Sequence, residues 1–164
     1  MQIRQYLTLF LSAAICSLPA PAADASGGGT YMLSGIRTEF QFSHSHVQCK
    51  IGHAVFPDRT VFQMFMESKT ISAVTIDSAA KTVVISGTMV STVRLRFTDG
   101  TTATLTETAP FVAFAQDKAT PGAGADTFSI TVIYTDTPGL DQFDLFGSPA
   151  TFAGTLETGD VVVR

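Results

Sequence analysis

The chain has 164 residues with a net charge of −4, 15% charged and 45% hydrophobic residues. That length suits one domain, and so low a charge content, against roughly 25% in an average domain, excludes a charge-rich disordered tail. The acidic balance, with Lys and Arg scattered singly, excludes an electrostatic nucleic-acid binder.

Residues 1–22 read as a secretory signal peptide. Arg4 supplies the positive start, the 13 residues 6–18 supply an apolar run, and Ala20-Pro21-Ala22 is a small-x-small cleavage site. The run is shorter than the ~20 residues needed to span a bilayer. Cys16 follows Ile15, where lipoprotein processing requires a small residue. No second long apolar run follows, so the cleaved chain is expected to be secreted or periplasmic and not transmembrane. Cleavage leaves nine basic against fourteen acidic residues and Cys49 as the sole cysteine. With no intrachain disulfide available, the core must hold the fold.

Residues 23–34, small and centred on Gly27-Gly28-Gly29, read as a flexible linker to a single domain over 35–164. From Gly35 onward the pattern alternates with period two. Ile36, Phe40 and Phe42 share one parity; Val47, Cys49, Ile51 and Val55 form a second set; Phe62, Met64 and Met66 form a third. A polar turn over 77–81 precedes Val83 and Ile85. Val93, Leu95 and Phe97 alternate with Arg94 and Arg96, and Asp99-Gly100 then marks a hairpin, a dipeptide suited to positive φ. Residues 102–106, 111–115, 128–134 and 161–163 complete the strands, with a short helix possible over 137–146.

Thr, Val and Ile make up 45 of the 164 residues, types that suit a pleated, half-buried surface. The expected fold is all-β, an antiparallel β-sandwich or flattened barrel of about eight to ten strands. Parity also turns Cys49 inward with Val47 and Ile51, between outward Gln48 and Lys50.

The order of short motifs resembles the post-COAP-type module, a β-rich domain of secreted bacterial proteins. The matching pieces are Phe40-Gln41-Phe42, Gly52-His53, the strand from Val83 to Gly87-Thr88, and Phe114-Ala115-Gln116-Asp117. They continue through Thr120-Pro121-Gly122-Ala123-Gly124-Ala125, Asp126-Thr127-Phe128-Ser129-Ile130 and the closing Gly154-Thr155-Leu156-Glu157-Thr158-Gly159-Asp160-Val161-Val162-Val163. The resemblance implies a β-rich exported module and brings no catalytic residues. The stretches 98–109 and 141–146 depart from it.

Two places carry candidate metal chemistry. His44 and His46 stand two apart, so on a strand both face one ion, and imidazole suits zinc or copper. Cys49 and His53 have the opposite parity, and the bland reading is a polar hairpin tip. Asp117 and Asp126 flank the Gly- and Pro-rich loop, with Asp136, Asp141 and Asp144 further on. Calcium takes about six to eight oxygen ligands, but Asp also favours turns by bonding nearby backbone N–H groups.

Catalysis has little footing: no Gly-x-Ser-x-Gly occurs, and no carboxylate pair stands out. Trp is absent, which weakens a lectin built on exposed aromatic faces. Phe143 and Phe146, in the loop 141–146, are the aromatics that could be exposed as a contact site, but the favoured reading of that loop is a plug closing one end of the sandwich. The function expected is an exported, non-catalytic binding or structural module. A metal-binding protein using the His44/His46 region is the alternative, and a small secreted hydrolase is the weaker one.

Overall fold

The computed structural model describes residues 23–135 and 148–164. Residues 1–22, the possible helix over 137–146, Asp136, Asp141, Asp144, Phe143 and Phe146 lie outside the described residues. Those described contain no helix and nine strands: β1 (Ala25–Leu33), β2 (Ile36–Ser43), β3 (His46–Val55), β4 (Val61–Asp77), β5 (Thr82–Arg96), β6 (Thr102–Gln116), β7 (Thr127–Val132), β8 (Ala150–Thr155) and β9 (Thr158–Val163). All pair antiparallel in one curled sheet of order β8-β7-β6-β5-β4-β3-β2-β1-β9. This is the expected all-β antiparallel class.

The two ends of that order are consecutive in the chain. Only Leu156 and Glu157 separate β8 from β9, so the closing segment pairs with β7 in its first half and β1 in its second. At the crossover Leu156 N–H donates to Asp126 C=O at 2.9 Å and Glu157 N–H to Thr30 C=O at 2.7 Å. The curl brings β2 against β7 across the interior: the rings of Phe40 and Phe128 stack with centroids 4.1 Å apart, and Tyr31 and Phe42 pack around them.

Alternation fixes the inner wall. Val47, Cys49 and Ile51 on β3, Phe62, Met64 and Met66 on β4, and Val93 and Leu95 on β5 are all buried. The outer wall carries cross-strand threonine pairs, Thr70–Thr88 at 2.7 Å and Thr131–Thr151 at 2.9 Å between hydroxyls. These account for part of the threonine content, since such pairs suit a solvated sheet face.

Three expectations are corrected. Residues 23–34 are not a linker, because 25–33 form β1, hydrogen-bonded on one side to β2 and on the other to β9. A side chain at Gly29 would strike the Thr158 carbonyl, so the glycines that suggested flexibility permit strands to approach closely. Val55 does not continue the inner row of β3. A register shift between Ile51 and Ala54 turns it outward, 67% exposed, as a bulge must when it adds a residue to one strand. Phe97 leaves the inner row of β5 for the turn, 38% exposed.

The Asp99-Gly100 hairpin is present, but Gly100 alone of the pair takes positive φ, +85°. Gly100 N–H bonds Phe97 C=O at 3.1 Å, Phe97 N–H bonds Thr101 C=O at 2.9 Å, and the Asp99 carboxylate accepts from Thr101 N–H at 2.8 Å. The β3–β4 connection repeats this arrangement. Arg59 N–H bonds Phe56 C=O at 2.8 Å, Phe56 N–H bonds Thr60 C=O at 2.9 Å, Asp58 accepts from Thr60 N–H at 2.9 Å, and Arg59 takes φ +69°. Each is a three-residue loop with a left-handed last position, written Phe-x-Asp-x-Thr in both places.

Candidate functional site

The His44 region is a hairpin tip. His44 and Ser45 form the turn between β2 and β3, and His46 opens β3 opposite Ser43. His44 is exposed and His46 half-buried on the outer wall. Cys49 lies on the inner wall, fully buried, with its sulfur 4.0 Å from the Tyr31 hydroxyl. Burial pushes its thiol up to about 12, since desolvation disfavours the thiolate. His53 is exposed within the bulge between Ile51 and Ala54. Among the described residues no group of three or more His, Cys, Asp or Glu is arranged so that it could hold a metal ion, at this tip or elsewhere.

The two aspartates serve a sheet edge. β9 ends the strand order, and its Val162 faces Ser26 of β1, so the N–H groups of Val161 and Val163 point away from β1. Val161 N–H donates to Asp126 Oδ2 at 2.8 Å and Val163 N–H to Asp117 Oδ2 at 3.2 Å. The other oxygen of Asp126 accepts from Lys118 N–H at 2.8 Å and Ala119 N–H at 3.1 Å. Asp160 Oδ1 in turn accepts from Gly122 N–H at 2.7 Å. Asp126 is fully buried, and these bonds supply the partners that a buried carboxylate requires. The loop between β6 and β7 thus closes the open edge of β9 with carboxylates, the role that a neighbouring strand would otherwise fill.

A further site lies on the outer wall. Pairing register aligns Glu39, Lys50, Phe65, Thr92 and Thr106 across β2 to β6. The next row holds Gln63, Arg94 and Thr104. Three depressions follow these rows. One of about 140 Å³ is lined by Glu39, Phe40, Gln41, Gln48 and Lys50. A second of about 290 Å³ is lined by Lys50, Gln63, Phe65, Thr92 and Arg94. A third of about 350 Å³ includes His53, Gln63, Arg94, Arg96 and Thr104. Lys50 belongs to the first two, and Gln63 and Arg94 to the last two. The track therefore crosses five strands, about 19 Å at the usual strand spacing.

Its charge is cationic on an acidic chain. Glu39 lies 3.8 Å from Lys50 and 3.7 Å from Arg37 in two exposed pairs, while Arg94 and Arg96 have no ion-pair partner among the described residues. The amides of Gln41, Gln48 and Gln63 offer both donors and acceptors, and Phe65 adds an apolar ring in the middle. Alternation alone marks Gln48, Lys50, Arg94 and Arg96 as outward. What the sequence did not disclose is the register that sets them side by side. Compared with known proteins, the chain matches no family model, no curated protein and no solved structure.

Proposed function

We propose that this is an exported, non-catalytic binding module whose outer track across β2–β6 holds an extended, hydroxyl-rich anionic chain, an acidic polysaccharide. The observation that carries this reading is the shared lining of the depressions, in which Lys50, Gln63 and Arg94 link separate hollows into one track. Arginine matches a carboxylate with a planar fork of donors, glutamine amides suit hydroxyl groups, and a ring such as Phe65 covers the apolar face of a sugar. The export reading rests on residues 1–22, and the resemblance to a β-rich module of secreted bacterial proteins is in keeping with it.

Affinity electrophoresis through gels containing polygalacturonate or, as neutral control, dextran tests the proposal. Retardation by polygalacturonate, reduced at high salt and lost in Arg94→Ala and Phe65→Ala, is the expected result. Equal mobility in both gels, or retardation unaffected by either substitution, overturns it.

A further inference from the structure

The depressions of the outer track differ in charge from one end to the other. The first holds Lys50 together with Glu39, whose carboxylate lies 3.8 Å from the ammonium and offsets it. The third gathers Arg94, Arg96 and the imidazole of His53, and no carboxylate lines it. Uncompensated positive charge is therefore concentrated at the β5–β6 end.

Register and a bulge bring these groups to one hollow. Arg94 and Arg96 stand two apart on β5, so both leave the same face of the sheet, about 7 Å apart along the strand. On β6 the register sets Thr104 beside Arg94 and Thr102 beside Arg96, and both hydroxyls are exposed at the lining. On β4 Gln63 faces Arg94. By parity with Ile51, His53 would point into the core. The register shift between Ile51 and Ala54 turns it out to the hollow instead.

This set of donors exceeds what a carboxylate uses. A carboxylate is planar, and one guanidinium fork fills its two oxygens. Seated on Arg94, it leaves over the second guanidinium, an imidazole that donates an N–H in either protonation state, and two hydroxyls. A sulfate or phosphate ester carries its oxygens on a tetrahedral centre and accepts from several sides at once. We propose that the third hollow takes such a tetrahedral oxyanion ester, borne by the bound chain, and that this end of the track selects esterified chains over chains carrying carboxylates alone. The inference rests on the reading of the track as a site for an acidic polysaccharide and names the anion preferred there. It also gives the track a direction. The end with Glu39, Gln41 and Gln48 suits a neutral, hydroxyl-bearing sugar, and the end with Arg94 and Arg96 suits the esterified one.

Affinity electrophoresis through gels of dextran sulfate, dextran phosphate, carboxymethyl-dextran and plain dextran tests this, the three anionic forms matched in charge per sugar. One backbone isolates the anion, and polygalacturonate is run alongside. The expected result is an apparent Kd at least about fivefold lower for one or both esters than for carboxymethyl-dextran. The tighter ester identifies the source of the tetrahedral group. Arg96→Ala should weaken ester binding about tenfold and carboxymethyl-dextran binding less than about threefold. His53→Ala should weaken ester binding about threefold. Both side chains are exposed on the outer wall, so neither substitution opens the core. Equal affinity for carboxymethyl-dextran and the esters overturns the inference, as do Arg96→Ala and His53→Ala if they weaken all three by one factor. If polygalacturonate is still retarded in those cases, and released by Arg94→Ala, the track stands without this preference. Equal mobility in every gel overturns both.

Discussion

The carboxylate of Asp126 accepts the backbone N–H of Val161 at 2.8 Å across a sequence separation of 35 residues. One side chain thereby ties the β6–β7 loop to the final strand, and with Asp117 it stands in for a missing neighbour of β9. The fold depends on it more than on an ordinary surface aspartate. Asp126→Ala removes the acceptor for Lys118, Ala119 and Val161 N–H groups. The expected loss is about 3–5 kcal/mol, given about 1–3 kcal/mol for each buried donor left unpaired. Asp126→Asn keeps one oxygen but turns an amide donor toward one of these N–H groups, at an expected cost of about 2 kcal/mol. Asp160→Ala, which frees only Gly122 N–H, should cost about 1 kcal/mol. Urea unfolding of the three variants measures the order.

The twin loops make a second comparison within one chain. Gly100 has φ +85° where Arg59 has +69°. An L-residue in the left-handed region costs about 1–2 kcal/mol, part of which glycine returns through its greater freedom when unfolded. Arg59→Gly is therefore expected to stabilise by about 0.5–1 kcal/mol, and Gly100→Ala to destabilise by about 1 kcal/mol. A Cβ at Gly100 would have nothing within 4 Å, so the second effect reports φ alone. Thermal unfolding of both variants checks the signs.

The same loops set an acid response. Hydrogen bonds from Thr60 hold Asp58 below the usual carboxylate value, and those from Thr101 do the same for Asp99. A carboxyl depressed in the folded state binds protons more weakly there than in the unfolded chain. Its stabilising contribution is complete above the unfolded value of about 3.9 and is lost as pH falls through the folded one. NMR titration should find both aspartates below the range of exposed carboxylates. Thr60→Val and Thr101→Val should each return one of them toward it.

These relationships differ in how far they could be read in advance. The inward rows Val47–Cys49–Ile51 and Phe62–Met64–Met66 were legible because a solvated outer wall forces strict alternation. The Asp99-Gly100 hairpin was legible from local turn chemistry. β1 was not, since Gly27-Gly28-Gly29 carry no side chains to alternate, and the bulge after Ile51 reverses parity with only Gly52, an isolated glycine within the strand, to mark it. The outer track was half legible. Alternation marks Lys50 and Arg94 as outward, but their place on either side of Phe65 depends on pairing between distant strands, and a slip of one residue would turn either wall inside out. In sequence, Asp117 and Asp126 read as candidate oxygen ligands. Beyond the nearby Lys118 and Ala119 N–H groups, the donors they satisfy belong to β9, 35 and 46 residues further on, and no local pattern connects those.

Cys49 joins the sequence pattern to a measurable chemistry. Its parity places it between Val47 and Ile51, and the fold buries it completely beside the hydroxyl of Tyr31, whose own ionisation burial also pushes up. The native protein should react slowly with a thiol reagent at pH 8 and quickly once unfolded in urea, because only the thiolate attacks and burial suppresses it. The thiol is raised from 9.0 to about 12, so the unfolded chain gives up this proton first. The associated stability is whole below the unfolded value and drains away as pH rises from there through about 12. Cys49→Ala should cost about 1–2 kcal/mol through the lost contacts, and Cys49→Ser more, since a buried hydroxyl must find a partner. If Cys49→Ala alone also flattens the alkaline limb of the stability curve between pH 9 and 11, the thiol is the group responsible. An unchanged limb would assign it to the buried tyrosines Tyr31 and Tyr134 instead.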